Sequence, residues 1–357
     1  MIGNERPGVE LLAALSRGLI GLAQVTQAAT FRLPYPPGLQ LALDRLVLAG
    51  LTRNRPVPGG ISELLSWCRE RSPAAWWPLK LPNGFPSGEA RLVHGDAKEV
   101  TRTCAELASW GPDGVVEQEA VALLAELAEN CGTVERFAAC RDFLISRPVI
   151  LQYNPIDFLS PAVAHTWKLV QGLYGPVPDR FQIDRTVYRC SGCSLLAKPV
   201  AAETSWCEGG CPPGEHVLES TPRPEQSRLL PLALRLFLAL PGRTERAVRS
   251  ALPQRARLLP QGLGLHECAG PGGETRIFQV QAREQPVPAA LRAAETAAGL
   301  PGPLYVVAPQ ALVAGPGYRE EFEGAVPDGS RVRLLSADEF TAPRQAAGTA
   351  YERNDDA

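Results

Sequence analysis

The chain has 357 residues, 45% of them hydrophobic and 21% charged, with a net charge of -2. That length accommodates two or three domains, and no apolar run approaches the ~20 residues needed to span a bilayer. A near-neutral balance excludes nucleic-acid binding by bulk charge, so any such role has to come from a local patch.

The first ~175 residues predict a mostly helical domain by their apolar spacing. Val9, Leu11, Leu12, Leu15, Leu19 and Leu22 recur at helical period up to the proline-rich P-Y-P-P. Leu39, Leu43, Leu46, Val47 and Leu51 predict a second helix after Pro36 and Pro37, and Leu64, Leu65 and Trp67 a third after Ser62. Residues 72–97 read as loop. Further helices are expected at 115–130 and 133–146, the latter stopped by Pro148. Ser160-Pro161 has the residue types of a cap and first turn for a helix running to Tyr174. Gly175-Pro176 then breaks the chain, which sets a first domain at 1–178.

Next comes R-C-S-G-C-S-L-L-A-K-P-V-A-A-E-T-S-W-C-E-G-G-C. Cys190 and Cys193 form a C-x2-C pair, and Cys207 and Cys211 a C-x3-C pair. Two short turns, each presenting two thiolates, are the arrangement of a zinc ribbon, expected here at 184–218 with Zn²⁺ as a structural cofactor. Gly192, Gly209 and Gly210 supply the freedom such turns need. The alternative is two disulfides in a secreted loop. The opening M-I-G-N-E-R-P lacks the progression of a signal peptide, which favours reduced thiols, a metal and the cytoplasm. Cys131 and Cys140 fall in helical patterns and read as small buried hydrophobes.

After the proline-rich S-T-P-R-P-E-Q-S, a third domain is expected at 225–342 and a disordered tail at 343–357. Residues 229–240 and 243–252 predict two helices. Strands follow at 256–259, 265–268 and 275–282, then a helix at 286–298, a strand at 303–309, a helix from 318 and a strand at 331–335. Helix, three-strand meander, helix, strand is the order of the restriction-endonuclease-like fold, so the chain is expected to be a multidomain α+β protein ending in such a domain. Active members carry an acidic residue on one strand and an acid-x-Lys pair on the next, which together hold Mg²⁺ and position water. Here the positions of the pair hold Gln279 and Gln281, neutral side chains that cannot draw in a hard cation. Glu267, on the preceding strand, is the one possible remnant ligand.

The chain resembles the nuclease-like component of the pPIWI-RE three-gene islands, which joins a helical domain Y to a restriction-endonuclease-like domain. The resemblance rests on L-L-A-A-L-S-R-G-L-I-G-L-A, L-P-Y-P-P-G-L-Q-L-A-L-D-R-L-V-L-A, the cysteine pairs, F-Q-V-Q-A-R-E-Q-P, P-L-Y-V-V-A-P and R-V-R-L-L-S-A-D-E-F. It implies bacterial defence against phage or plasmids, with a PIWI-like protein and a DinG-type helicase as partners. The family's active-site strand reads Asp-x-Lys, and Gln279 and Gln281 depart from it.

Local charge adds one candidate surface. Arg243, Arg246 and Arg249 are spaced to share a helix face able to meet successive phosphates. The expectation is therefore a non-catalytic subunit that binds DNA or an RNA–DNA duplex, or scaffolds its partners, with no membrane association. Two alternatives stand beside it. One is an active Mg²⁺-dependent endodeoxyribonuclease whose site has migrated to Glu267 with Glu284 or Glu274. The other is an unrelated zinc-ribbon assembly factor.

Overall fold

The computed structural model describes residues 6–24, 35–82, 85–86, 90–111, 114–201, 204–212, 217–259, 264–270 and 273–342. The tail expected at 343–357 lies outside them. Helices α1 (Arg6–Gln24), α2 (Pro37–Arg53) and α3 (Ile61–Glu70) follow the apolar spacing read from the sequence. Gly18 and Gly38 explain how closely α1 and α2 pack. A Cβ at Gly18 would lie 2.5 Å from the Leu39 nitrogen, and one at Gly38 would lie 2.1 Å from the Ala14 carbonyl oxygen. The two backbones therefore touch where neither carries a side chain, and larger residues there would force them apart.

Helix α4 (Arg102–Ala108) is short and was not anticipated; Thr101 caps it by accepting from the Cys104 N–H at 3.2 Å. Helices α5 (Val115–Cys131) and α6 (Val134–Ser146) form where expected, and Gly132 in the left-handed region ends α5. Helix α7 (Pro161–Val170) starts at the expected proline. It tightens at Gln171–Leu173 into a 3-10 turn instead of running on to Tyr174, and the Ser160 side chain makes no cap bond.

Strands β1 (Val149–Ile150) and β2 (Gly175–Pro176) both pair with β8 (Arg228–Leu229) in a small antiparallel sheet. The cysteine segment folds into a second sheet. Its strands are β3 (Gln182–Ile183), β4 (Thr186–Cys190), β5 (Leu196–Ala201), β6 (Thr204–Cys207) and β7 (Leu218–Thr221), with β7 on the edge of β4.

The two helices expected at 229–252 are one continuous rod. Helix α8 (Leu232–Leu234) passes through a π-turn (Arg235–Ala239) into α9 (Leu240–Ala251). Pro241 has no N–H to donate to the preceding turn. The widened turn, in which the Leu240 N–H reaches the Arg235 carbonyl, carries the helix past it without a break.

The C-terminal sheet has the order β13-β12-β11-β10-β9. Strands β9 (Arg257–Leu259), β10 (Leu265–Ala269) and β11 (Thr275–Val280) form an antiparallel meander, and β11, β12 (Leu304–Ala308) and β13 (Val332–Ser336) run parallel. Helix α10 (Pro286–Ala298) links β11 to β12, and α11 (Gln310–Val313) and α12 (Tyr318–Ala325) link β12 to β13. Strand alternation sends Leu265, Leu304, Val306 and Leu334 to α10 and α12. It sends Phe278, Val280 and Val307 to Val248 of α9 and Phe340 of α13 (Ala337–Thr341).

Core packing crosses the sequence segments. One core unites α5 and α6 with Cys190, Cys193, Cys207 and the π-turn. The rod that opens the third segment is thus clamped against the helical half and the cysteines, and Val248 near its end packs on the C-terminal sheet.

Candidate metal centre and the buried seam beside it

The first cysteine turn closes through the Ser194 N–H to the Cys190 carbonyl at 2.8 Å. Its left-handed residue is Ser194, with φ 64°, and not the glycine expected to take that role. The second turn closes through the Gly210 N–H to the Cys207 carbonyl at 3.0 Å, with Gly210 at φ 73°. A Cβ at Gly209 would stand 2.8 Å from the Cys193 sulfur. Together the turns bring all four sulfurs within 4.8 Å of one another. Four thiolates at tetrahedral vertices around zinc would sit about 3.8 Å apart, from Zn–S bonds of about 2.3 Å. Hydrogen bonds from Cys193, Cys207 and Cys211 hold the Cys190 thiol below its ordinary value, while bonds to Cys190 push Cys193 and Cys207 above theirs. The cluster can hold a metal ion. Trp206 stacks on Phe181 at 6.0 Å and shields the sheet beside it.

The second cysteine turn is also where the parts of the chain meet. Glu208 takes a two-pronged ion pair from Arg235 of the π-turn, at 2.7 and 2.6 Å. The Gly209 carbonyl accepts from Arg102 of α4 at 3.1 Å. Arg102 also pairs with Glu106 at 3.0 Å and lies 3.8 Å from Glu284, just beyond β11. The Glu106 carboxylate accepts the backbone N–H of Glu284 at 2.9 Å and of Gln285 at 3.0 Å, the residues that lead into α10. Thr103 donates to Glu284 at 2.9 Å. Glu117 of α5 pairs with Arg283 at 2.6 Å and Arg292 at 3.3 Å. Burial raises Glu106 above the usual carboxylate range against the pull of Arg102. Burial also works to raise Glu117, but Arg283 and Arg292 outweigh it and hold Glu117 below that range.

These charges are packed over Gln279 and Gln281. Both glutamines are 8% exposed, and the Gln281 amide donates to the Gln279 oxygen at 3.0 Å. The space left is a small cavity of about 30 Å³ lined by Arg102, Glu106, Glu117, Gln279, Gln281 and Arg283 among others, enough to admit water. The residue opposite Gln279 on β10 is Leu265. Glu267 lies two positions along, opposite Ile277 and Arg257, and its carboxylate is taken by Arg257. Glu274 pairs with Arg276 at 2.5 Å. The structure therefore does not gather Glu267, Glu274 and Glu284 with the two glutamines.

Of the three arginines on α9, Arg249 binds Asp142 of α6 at 2.9 Å and lies 3.6 Å from Glu245. Arg246 reaches the Asp142 carbonyl at 3.4 Å, and Arg243 is exposed. Two of the three thus serve contacts between α6 and α9. Beneath them Arg141 grips Glu245 at 2.5 and 2.7 Å, and His266 lies 2.9 Å from the same carboxylate. Burial opposes ionisation of Glu245, yet Arg141 and His266 hold it well below the usual carboxylate range.

Residues 11–151 match the family described as pPIWI_RE three-gene island domain Y. Over that stretch the chain is similar to a pPIWI-RE island domain Y. The match covers the two N-terminal motifs on which the resemblance first rested, and it spans α1 to α6. Searches of curated proteins and of solved structures return no match. Domain Y supplies Arg102, Thr103, Glu106 and Glu117, the residues that close over the end of β11. No helix among the described residues is long and apolar enough to cross a membrane.

Proposed function

We propose that this island component is a non-catalytic subunit of a defence complex, one that holds nucleic acid or scaffolds its partners. The observation that carries the reading is the burial of Gln279 and Gln281 beneath α4, α5 and the π-turn. The C-terminal order of helix, meander, helix, strand supports a restriction-endonuclease-like origin. In that fold these two positions would carry the metal-binding acid and the lysine. Here they are neutral, Gln279 stands opposite Leu265, and α4 and α5 occupy the space a scissile phosphate would need. Three independent features, charge, register and access, thus argue against Mg²⁺-dependent cleavage.

In this reading the four cysteines hold a structural Zn²⁺ that braces domain Y against the C-terminal sheet. The island context favours a PIWI-like protein and a DinG-type helicase as partners, in the cytoplasm, with DNA or an RNA–DNA duplex as the bound nucleic acid. The test is incubation of the purified protein with plasmid and with guide duplexes in Mg²⁺ or Mn²⁺. Retention of intact nucleic acid or of the PIWI-like partner is expected. Metal-dependent cleavage abolished by Glu267→Ala would overturn the proposal and restore the migrated-site nuclease.

A further inference from the structure

A second basic surface, apart from α9 in sequence, lies around Trp67 and Trp77. Between Arg45 and Arg91 the sequence has seven basic residues against three acidic ones, a surplus of four in a chain whose total is -2. The structure organises this surplus on tryptophans. The guanidinium carbons of Arg53 and Arg55, at the end of α2, lie 5.7 and 4.7 Å from the centroid of Trp77. The Trp77 indole N–H is itself fixed by the Pro56 carbonyl at 3.1 Å. The neighbouring Trp76 is buried and meets Trp67 edge-on at 5.5 Å. Trp67 in turn carries Arg71, whose guanidinium carbon is 4.6 Å from its centroid. Arg53, Arg55 and Arg71 are exposed, and none of them makes an ion pair among the described residues. The contrast with Arg102, Arg141, Arg235 and Arg283 is plain, since each of those is spent on a buried carboxylate.

An arginine held over an indole has lost some of its freedom before any ligand arrives, so binding costs less entropy. Its remaining N–H groups form a fork that fits two phosphate oxygens. The guanidiniums also lie over the indole rings, which leaves those rings poorly placed to stack bases. Such a surface grips the backbone and does not read sequence. We infer that Arg53, Arg55 and Arg71, mounted on Trp77 and Trp67, form a sequence-independent binding site for the phosphodiester backbone of duplex DNA. The inference rests on the nucleic-acid-binding reading above and moves its site from α9 to domain Y.

The experiment measures binding of a fluorescent 20-base-pair DNA duplex across 50–200 mM salt. The proteins compared are the full wild-type chain, the Arg53→Gln/Arg55→Gln/Arg71→Gln variant and an Arg243→Gln/Arg246→Gln variant. Circular dichroism melting checks that each variant folds. Three phosphate contacts contribute about 2.7 to the slope of log affinity against log salt, or roughly 40-fold over that range. The triple variant should lose that much of the slope, and the α9 variant should keep it. If wild type binds and the α9 variant alone loses the slope, or neither does, the site is wrong while the broader reading stands. If wild type binds no duplex, both fail. Equal binding of poly-L-glutamate would mark the patch as a dock for an acidic protein and overturn the nucleic-acid assignment.

Discussion

Glu106→Ala is the sharpest test of the seam between domain Y and the C-terminal sheet. Glu106 is 4% exposed and receives three donors, the Arg102 guanidinium and the backbone N–H groups of Glu284 and Gln285. Truncation leaves Arg102 buried with one acceptor fewer, and two amides at the start of α10 without their partner. Removing one member of a buried, hydrogen-bonded pair costs about 3–5 kcal/mol. That corresponds to two to three and a half decades in the equilibrium between docked and open forms, at about 1.4 kcal/mol per tenfold. The loss should be local first. Native-state hydrogen exchange should show the Glu284 and Gln285 amides losing protection, while amides in the α1–α2 core keep theirs. Glu106→Gln keeps one acceptor oxygen and nearly the same volume, and should cost about half as much. Unchanged protection at residues 284 and 285 in Glu106→Ala, with a denaturation midpoint equivalent to less than 0.5 kcal/mol of change, would refute the reasoning.

Three further outcomes are expected. Purified reduced protein should contain one zinc per chain, and Cys190→Ser should lower that content and raise exchange in α4, because Arg102 donates to Gly209 in the second cysteine turn; zinc-free wild-type protein would contradict this. Glu245 and Glu117 are held below the usual value of 4.5, so their contribution to stability is complete above that pH and is lost as pH falls toward their folded values. Glu106, raised by burial, titrates in the opposite sense, so the comparison is made with Glu245→Gln, whose denaturation curve should be flatter than that of wild type below pH 4.5. Gly264→Ala should destabilise by about 3 kcal/mol or more, since φ is 114° and the added Cβ would lie 2.1 Å from the Arg141 guanidinium on the buried Glu245 pair; a chemical-denaturation midpoint like that of wild type would argue against that packing.

The cysteine cluster was legible because its chemistry is local. Two pairs at knuckle spacing have few other uses, and the turns only have to bring them together. Most helices and strands were legible for the same reason, since apolar period is a property of neighbours in sequence. Helix α4 was missed because seven residues hold too little periodicity, although Thr101 and the i,i+4 pair of Arg102 with Glu106 were signals. The arginines of α9 show the limit of reading a polar face. Their spacing is that of a solvent-facing stripe, but a helix packed alongside supplies Asp142, and the stripe becomes a contact. Nothing local marks Glu106 as a seam residue, because its backbone partners lie 178 and 179 residues away.

That separation has a consequence for how the chain assembles. Arg102 reaches Gly209 across 107 residues, and Thr103 reaches Glu284 across 181. Closing loops of that length is slow and comes late in folding. During synthesis the second cysteine turn leaves the ribosome before β11 does, so the nearer anchor for α4 is in place first. Capture of a metal by the four thiols would then fix Gly209 where Arg102 can find it, and β11 would arrive at a landing site already built.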